Sequence, residues 1–540
     1  MKTEGFLSLI LHSHLPFVRH PEDDSALEED WLYEAITETY IPLIDIFTKL
    51  VNNNVHFKLT LSLSPTLISM LTDELLQDRY LNYINKLIEL SEKELKRTAG
   101  QTDFYQVAEM YNKNFIKCKE IFIQYDCNLI KAFKQFQDIG VLEVITCTAT
   151  HGYLPLMNIY PEAVNAQLEA GIQVYEEHFN TKPKGLWLPE CGYYPKLDQI
   201  LWDKEIRYFF VDTHGILNAN PKPHYANFAP IYCPSGVAAF GRDSETSRQV
   251  WSSIQGYPGD YDYREFYRDI GFDLDYEYIK GYIHPEGFRK NTGIKYYRIT
   301  NKDTNNKDVY KPIWAKQKAV IHAKDFLEKR QEQINNLSSG MDRPPILTSP
   351  YDTELFGHWW YEGPLWLEAL ISKIYHDTKN NIKLITPSEY LDSFPINQVA
   401  TPSLSSWGDS GYSQVWLDES NDWIYPKLHK ATEQMITVAK YFRAPNKLQK
   451  RFLNQSAREL LLAQSSDWAF IIKNNTMKDY AIRRTNEHLE NFDNLIDQLL
   501  KGSYNNQYLK KLETKHNLFP NLDYKIYQGL DNLNYEEVNI

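Results

Sequence analysis

The chain has 540 residues, 43% of them hydrophobic, which is enough for a large buried core and for more than one domain. Its formal net charge of −13 argues against nucleic acid and anionic membranes as partners and favours a neutral substrate. Aromatic residues make up 14% of the chain, with 38 Tyr and 12 Trp. Such side chains stack on sugar rings, so the composition favours carbohydrate binding, although a large aromatic core would give the same numbers.

Cysteine usage and apolar runs exclude further classes of protein. The five cysteines are odd in number and form no CxxC pair, which argues against a disulfide framework or a zinc ribbon. The first apolar run is interrupted by His12 and His14, and no small-residue cleavage site follows it. We therefore interpret it as a buried strand and not as a signal peptide. No stretch reaches about 18 apolar residues, so no membrane span is predicted and we expect a cytoplasmic protein.

Seven short apolar runs each end in polar or ionisable residues. Runs rich in β-branched and aromatic residues, separated by helical stretches, are typical of βα units. Chemistry at the ends of such strands indicates a barrel whose active site lies at the carboxyl ends of the strands. We predict an α/β fold, a distorted (β/α)7 barrel with a helical insertion and a C-terminal all-α domain. The seven runs are FLSLIL, FKLTLSL, VLEVITCTAT, GLWLP, IRYFFV, PILTSPY and KLIT.

Changes in composition and in the spacing of apolar residues divide the chain into domains. We assign residues 1–71 and 138–400 to the barrel. Residues 72–137 carry Leu, Ile and Phe at helical spacing among charges, which predicts an inserted helical subdomain. Residues 401–515 begin with a Trp-rich loop and continue as helix-patterned segments, which predicts a C-terminal helical domain. Residues 516–540 are Asn-rich and are expected to form a poorly ordered tail.

Glu190 is the first candidate for chemistry. It lies in WLPECGYY, directly after an apolar run and a proline. This position would hold a carboxylate rigidly at the end of a strand. A helix-capping or salt-bridged glutamate would fit the same motif, so the motif alone leaves both interpretations open.

Asp352 is the second candidate, in SPYDTELFGHWWYEGP. Trp359 and Trp360 follow it closely, and apolar aromatic walls raise the pKa of a carboxyl group by desolvation. Such a group suits an acid that must keep its proton near neutral pH. Glu354 and Glu362 are rivals for this role, and Glu354 could equally be a structural partner.

Histidines at strand ends keep a metal hypothesis open. His12, His14, His151 and His214 end three different runs, and three histidines with an aspartate could bind zinc. Polar residues at the same positions of a barrel also bind sugar hydroxyls. The metal alternative predicts zinc in the purified protein and loss of activity with a chelator.

The motifs HSHLPFVRH, THGYLPL, WLPECGYY, VDTHG and SPYDTELFGHWWYEGP occur in an order that resembles glycoside hydrolase family 57. The block SARELLLAQSSDWAFII resembles the helical domain of that family's 1,4-α-glucan branching enzymes. The resemblance covers roughly residues 4–500. It implies a retaining mechanism without metal or organic cofactor. It also implies that Glu190 is the nucleophile and Asp352 the general acid/base.

Further positions match the family's substrate contacts. The alternative for each tryptophan is core packing. For the arginine it is a salt bridge to Asp260, Asp262 or Glu265. A glycine among these positions would let the backbone approach a glucan closely. The substrate-binding residues that the resemblance implies are His12, Trp31, His151, Arg264, Gly281, Trp407, Trp416 and Asp467.

The resemblance predicts formation of α-1,6 branches on an α-1,4-glucan, as in glycogen synthesis, with α-glucan as donor and acceptor. Branching enzymes of the family are thought to need a tyrosine at the tip of a loop, here within residues 215–255. Tyr225 and Tyr232 are nearby, but GVAAFGRD has no tyrosine. A missing tyrosine would favour the alternative, an α-amylase or 4-α-glucanotransferase. A metal-dependent deacetylase-like enzyme and a non-catalytic glucan-binding protein are weaker alternatives.

Overall fold

The computed structural model describes residues 3–252, 256–301, 306–377 and 380–529. Nine β-strands in this part of the chain belong to one sheet. In chain order they are β1 Gly5–Ser13, β2 Leu59–Leu63, β3 Leu142–Cys147, β4 Gly185–Trp187, β5 Tyr208–Val211, β6 Ile231–Tyr232, β7 Ala238–Gly241, β8 Ile346–Asp352 and β9 Ile382–Leu384. Each of the seven apolar runs therefore forms a strand, and the β6–β7 hairpin is an additional pair.

Eight of the strands run parallel, and seven of them follow the order β7–β5–β4–β3–β2–β1–β8. Strand β6 is antiparallel to β7, and β9 pairs only with the first residues of β1. The two edges of the sheet meet at a bridge between Arg242 and Thr348. There Asp243 N donates to Thr348 O at 2.8 Å. The distorted barrel is thus confirmed, but β7 meets β8 at the closure, whereas the predicted KLIT strand, β9, pairs with β1 outside the main strand order.

The central strands are buried along their whole length, as β2, β4, β5 and β7 show. Parallel strands covered on both faces have no polar alternation, so they appear in a sequence as continuous apolar runs. This is why the apolar runs identified them. Polar groups at the carboxyl ends of the barrel belong to the last residues of the strands, such as His12 and Asp352, or to the residues just beyond them.

Sixteen α-helices precede residue 400 in the described ranges, and a π-helical turn, Ile36–Tyr40, joins the first two. In chain order the helices are α1 Glu29–Ala35, α2 Ile41–Asn52, α3 Pro65–Leu71, α4 Glu74–Thr98, α5 Thr102–Gln124, α6 Leu129–Ile139, α7 Leu154–Met157, α8 Pro161–Phe179, α9 Leu197–Asp203, α10 Thr213–Leu217, α11 Ser244–Trp251, α12 Ile270–Asp273, α13 Tyr276–Ile279, α14 Pro312–Ser338, α15 Gly363–His376 and α16 Pro387–Ser393.

The segment between β2 and β3 contains the long helices α4 and α5, which pack on each other. Helix α4 begins at Asp73, whose side chain accepts a hydrogen bond from Leu76 N, a usual N-cap arrangement. Its residues Leu76, Tyr80 and Ile84 recur every four positions and are buried. Helical spacing of apolar residues therefore gives one continuous buried face. Helix α6 ends at Gly140, where φ is +83°, and leads into β3.

Helices form the C-terminal part of the chain. They are α17 Ile424–Tyr441, α18 Lys447–Ala463, α19 Ser466–Asn474, α20 Lys478–Lys501 and α21 Asn506–Lys515. None of the helices in the described ranges combines the length and apolarity needed to cross a bilayer.

The expectation of a poorly ordered tail from residue 516 is wrong for residues 516–529. His516 is fully buried, and its Nδ1 donates to Glu459 Oε1 at 2.7 Å. The second carboxylate oxygen of Glu459 accepts from His488 Nδ1 at 2.8 Å. Apolar residues of this segment are buried as well, so burial of a few anchors overrides its polar composition. These are Leu518, Phe519, Leu522, Tyr524 and Tyr527. Residues 530–540 lie outside the described residues.

Candidate active site

Glu190 follows β4 on a turn with left-handed backbone at two consecutive residues. The angle φ is +60° at Glu190 and +51° at Cys191. A residue with a side chain pays about 1–2 kcal/mol in this region, and such strain persists only where surrounding contacts fix the backbone. Here Cys191 N donates to Leu188 O at 2.8 Å, and Trp407 N donates to Glu190 O at 3.0 Å. The turn therefore holds the Glu190 side chain at the carboxyl end of β4.

Both carboxylate oxygens of Glu190 accept a hydrogen bond. Trp407 Nε1 donates to Oε2 and Ser466 Oγ donates to Oε1, each at 2.9 Å. The side chain is 13% exposed, so one face of the carboxylate is open to the cleft. Burial raises the pKa of Glu190, while the bonds from Trp407 and Ser466 favour the ionised form and oppose that rise. The arrangement fixes the orientation of the carboxylate.

A chain of buried hydrogen bonds leads to Ser466 from the barrel. Ser62 Oγ lies 3.0 Å from His12 Nδ1, His12 Nε2 lies 3.1 Å from His151 Nε2, and His151 Nδ1 lies 2.8 Å from Ser466 Oγ. With both imidazoles neutral, every group can donate to the next one in the direction of Glu190. Burial and neighbouring histidines lower the pKa of His12 and of His151 well below the usual value, which agrees with neutral rings.

A second histidine contact joins the barrel to helix α19. His14 Nε2 lies 2.9 Å from Asp467 Oδ2, and His14 Nδ1 lies 2.9 Å from Ser64 Oγ. Burial opposes ionisation of Asp467, but the adjacent His14 outweighs it and lowers the pKa of Asp467 to about 2. The ring of His14 stacks on that of His151 at 3.9 Å. The C-terminal helices thus contribute side chains directly to this site.

Three groups of potential metal ligands occur among the described residues: His12, Cys147 and His151; His14, His151 and Asp467; and, in the C-terminal helices, Glu459, His488 and His516. The second is the group that combines histidines at strand ends with an aspartate. Donor atoms of His14, His151 and Asp467 lie within 4.8 Å of one another. The ring nitrogens of His14 and His151 have the hydrogen-bond partners given above, so a metal ion would have to replace some of these bonds. His214 does not join this group, because its Nε2 contacts Gly411 O at 2.7 Å.

Asp352 is the last residue of β8 and lies opposite His12 in the parallel register. Burial raises its pKa well above the usual value. The neighbouring carboxylates of Glu354 and Glu190 raise it further, and Arg242 opposes them. The Glu190 carboxylate, with its two donors, is favoured as the ionised partner, and Asp352 is favoured as the protonated one.

The aromatic residues after Asp352 do not form the wall that the sequence suggested. Trp360 is 1% exposed and packs against Trp366 at 5.6 Å in the core. Trp359 is 61% exposed, and its ring lies 6.4 Å from that of Phe266. The burial of Asp352 therefore comes mainly from its place at the end of a barrel strand.

The rival carboxylates have structural partners. Glu354 Oε1 accepts from Tyr40 Oη at 2.5 Å. Burial raises the pKa of Glu354 to about 7, against the opposing effect of that bond. Glu362 is fully buried and accepts from Arg264 N at 3.0 Å and from Tyr310 Oη at 2.7 Å. Glu362 therefore supports the backbone and does not face the Asp352 site.

The resemblance implies that Trp416 and Arg264 contact the substrate, but both side chains are buried in the protein. Trp416 is 1% exposed and stacks on Tyr153 at 4.4 Å, so it is a core residue and offers no platform to a sugar. The Arg264 side chain is 1% exposed, and its Nη1 donates to Glu38 Oε1 at 2.8 Å. The salt-bridge alternative thus describes Arg264, although its partner is Glu38 and not one of the acidic residues near it in sequence.

Among the described residues, two other implied contacts have no hydrogen bond or ring contact with Glu190 or Asp352. Trp31 is half-buried, and its ring meets that of Tyr480 edge-on at 6.0 Å. Gly281 is exposed, and a Cβ added there would meet nothing within 4 Å. No contact within the described chain therefore requires glycine at this position. His12, His151, Trp407 and Asp467, in contrast, belong to the network around Glu190.

The sequence did not single out Ser466 or Arg242 as site residues. Ser466 stands beside Asp467 in QSSDWAF, where serine is an ordinary N-terminal helix residue. Arg242 directly follows β7, and its Nη1 donates to Asp212 Oδ2 at 3.2 Å. GVAAFGRD, which we interpreted as part of a loop, forms this strand. Recognising β7 would have placed Arg242 at the carboxyl ends of the strands.

The tyrosine expected near the active site has no clear counterpart. Tyr232 lies in β6, and Tyr225 lies under the guanidinium of Arg343, 5.8 Å from the ring centre. Among the described residues, neither tyrosine has a hydrogen bond or ring contact with Glu190 or Asp352. The hairpin between β6 and β7 is short, which leaves no extended loop tip there.

Two family profiles match consecutive parts of the chain. The one described as glycosyl hydrolase family 57 matches residues 8–404. The one described as the C-terminal domain of 1,4-alpha-glucan branching enzyme matches residues 427–527, which include the buried part of the tail. A 1,4-alpha-glucan branching enzyme of Thermococcus kodakarensis is 32% identical over 550 residues, covering 96% of this chain and 77% of the relative.

Solved structures include relatives of two named activities. A crystal structure reported as a novel alpha-amylase from Thermotoga maritima is 45% identical, with a TM-score of 0.92 and coverage of 97% of this chain and 99% of the other. A branching enzyme from Pyrococcus horikoshii is 32% identical, with a TM-score of 0.88 and coverage of 98% and 97%.

The different burial of two tryptophans gives a testable prediction. Trp416→Ala should lower the free energy of unfolding by about 3–5 kcal/mol, because it leaves a large cavity beside Tyr153. Trp407→Ala should cost markedly less, since Trp407 is partly exposed. Urea denaturation followed by circular dichroism would measure both. Equal, small losses for the two variants would contradict the core assignment of Trp416.

Proposed function

Because the chain belongs to glycosyl hydrolase family 57, we propose that it is a 1,4-α-glucan branching enzyme with Glu190 as nucleophile and Asp352 as general acid/base. The observation that carries this assignment is the difference between the two carboxyl environments. Two hydrogen bonds hold Glu190 in an orientation suited to attack. Burial beside other carboxylates keeps a proton on Asp352. A double displacement needs this pair of unlike carboxyl groups.

In the first step, Glu190 attacks the anomeric carbon of an α-1,4-linked donor. Asp352 gives its proton to the glycosidic oxygen as that bond breaks, and a glycosyl ester forms on Glu190. In the second step, Asp352, now ionised, takes the proton of the 6-hydroxyl of an acceptor chain. That oxygen attacks the anomeric carbon and releases Glu190, which leaves an α-1,6 branch with retained configuration.

The C-terminal domain supports transfer over hydrolysis. The profile of branching-enzyme C-terminal domains matches this region, and helix α19 provides Ser466 and Asp467 to the site. Transfer requires that an acceptor, rather than water, reaches the ester in an attack-ready position. A covering domain that also positions the nucleophile suits this requirement.

Hydrolysis is the second candidate, favoured by two observations. The relative from Thermotoga maritima, 45% identical, is described as an alpha-amylase. The tyrosine associated with branching in the family also has no clear counterpart near Glu190. In that case the same glycosyl ester would form, and water would take the place of the acceptor hydroxyl.

We also propose a metabolic role and a cellular compartment for the enzyme. Synthesis of a glycogen-type glucan is supported by the activity named for the relatives from Thermococcus and Pyrococcus. The five cysteines are unpaired, which fits a reducing compartment, and we propose the cytoplasm. α-Glucan chains would be both donor and acceptor.

Product analysis tests the choice between the two activities. Amylose incubated with the enzyme should show new α-1,6 anomeric signals by proton NMR with little increase in reducing ends. Glu190→Gln should remove both changes, because the glycosyl ester no longer forms. Reducing ends that rise without α-1,6 signals would establish hydrolysis instead. Near-normal turnover by the Glu190→Gln variant would show that Glu190 is not the nucleophile.

The role of Asp352 is tested by changing the leaving group. Asp352→Asn should lose activity on amylose but retain a larger share with an activated aryl glycoside, whose leaving group needs no proton. Rates of both substrates for variant and parent would give this comparison. Equal relative losses on the two substrates would count against an acid role.

The charge of Glu354 should affect how kcat/KM depends on pH. An ionised Glu354 disfavours ionisation of Asp352, so Glu354→Gln should lower the pKa of Asp352. The acid form would then be lost at lower pH, and the alkaline limb of the kcat/KM profile should move in the acid direction. Glu362→Gln, in the same motif but bonded to Arg264 N, is the control and should leave that limb in place. An unmoved limb in Glu354→Gln would contradict the coupling.

A further inference from the structure

Three aromatic side chains lie together on the surface of the barrel domain. The ring of Phe266 lies 5.3 Å from that of Tyr267 and 6.4 Å from that of Trp359. Tyr267 is 83% exposed and Trp359 is 61% exposed. We call this group, Phe266, Tyr267 and Trp359, the aromatic surface. Single exposed apolar residues are ordinary, but a cluster of large rings marks a binding surface.

Trp359 of the aromatic surface belongs to the segment that directly follows Asp352 and β8. Trp359 N donates to Glu354 O at 3.2 Å. Glu354 in turn acts electrostatically on Asp352, the candidate acid. Trp359 therefore lies on the segment that leaves the end of β8 and carries the chain away from the site. The chain thus links the aromatic surface to the candidate acid through a short segment.

Polar groups border the aromatic surface on one side. The ring of Phe266 meets that of His358 edge-on at 5.7 Å. His358 Nδ1 contacts Glu38 Oε2 at 2.7 Å, and its Nε2 lies 3.9 Å from Glu34 Oε2. The side chains of Glu34 and His358 are 21% and 24% exposed. Both can exchange hydrogen bonds with hydroxyl groups in the cleft.

The buried Arg264 fits this arrangement as a positioning residue. Its guanidinium holds one oxygen of Glu38, while His358 contacts the other. Glu38 therefore connects the arginine to the polar border. The family resemblance placed Arg264 against the substrate, whereas the geometry assigns it a role one layer behind the surface.

We propose that the aromatic surface binds an α-glucan chain outside the catalytic pocket, with sugar faces on Tyr267 and Trp359 and hydroxyl groups on Glu34 and His358. This inference rests on the proposed function, which makes α-glucan the substrate. The rings supply flat apolar faces and the border supplies hydrogen bonds, which together match the two kinds of surface that a sugar ring presents. Chains long enough to span the pocket and the surface would bind more tightly.

The size of the aromatic surface favours a sugar chain over a protein partner. Aromatic side chains bury about 150–250 Å² each, so three rings supply at most roughly 450–750 Å². A standard protein interface buries about 800 Å² on each partner. The partial burial of Phe266 reduces the available area further. A few glucose units need no larger contact than this.

The test measures binding without turnover, in a Glu190→Gln background. Trp359→Ala and Tyr267→Ala should each weaken amylose binding by roughly 5- to 10-fold, the size of one aromatic contact. Affinity electrophoresis in gels containing amylose would give the dissociation constants. Both side chains are exposed, so their removal should leave the fold intact, and thermal melting would check this.

Trp202 provides a matched control. It is 58% exposed on helix α9 and lies outside the aromatic surface, so Trp202→Ala should bind amylose like the parent. If the parent binds amylose and both surface variants bind it equally well, the aromatic surface is not a glucan site. The same holds if Trp202→Ala weakens binding as much as they do. A parent that binds no amylose would overturn the proposed function and this inference together.

Discussion

The pair of hydrogen bonds on Glu190 is the interaction on which the site depends. One donor, Trp407, comes from the segment that follows the barrel, and the other, Ser466, comes from a C-terminal helix. The left-handed backbone at Glu190 carries a conformational cost that contacts from both regions offset. The barrel alone would provide neither of these two donors to the carboxylate. The C-terminal domain is therefore part of the candidate active site.

The electrostatics of the site follow from this arrangement. Donors around Glu190 favour its charge, whereas Asp352 is buried near other carboxylates and keeps its proton. The neutral side chains of His12 and His151 link Ser62 in the barrel to Ser466, and they add hydrogen bonds without adding positive charge. A carboxylate held by neutral donors keeps more of its nucleophilic character than one paired with a full cation, which suits attack on an anomeric carbon.

Whether an acceptor chain or water attacks the proposed glycosyl ester depends on the parts of the protein that surround it. Helix α19 contributes Ser466 and Asp467 to the site, and the proposed aromatic surface would bind a long chain outside the pocket. Shielding and chain binding both favour an acceptor over water. The short β6–β7 hairpin works in the other direction, since it provides no long loop over the ester. The balance between transfer and hydrolysis is thus a property of covering elements and not of the two carboxyl groups.

The sequence by itself determined seven of the nine strands in the described chain and the carboxylates at their ends, because doubly covered strands appear as continuous apolar runs. It did not identify the β6–β7 hairpin. It also marked the C-terminal helices by their periodicity. Tertiary structure decided which tryptophan faces the site: Trp407 contacts Glu190, whereas Trp416 is in the core. It likewise placed Arg264 in a buried ion pair and Ser466 against Glu190. These contacts join residues far apart in the chain, and no local pattern of composition or spacing specifies them.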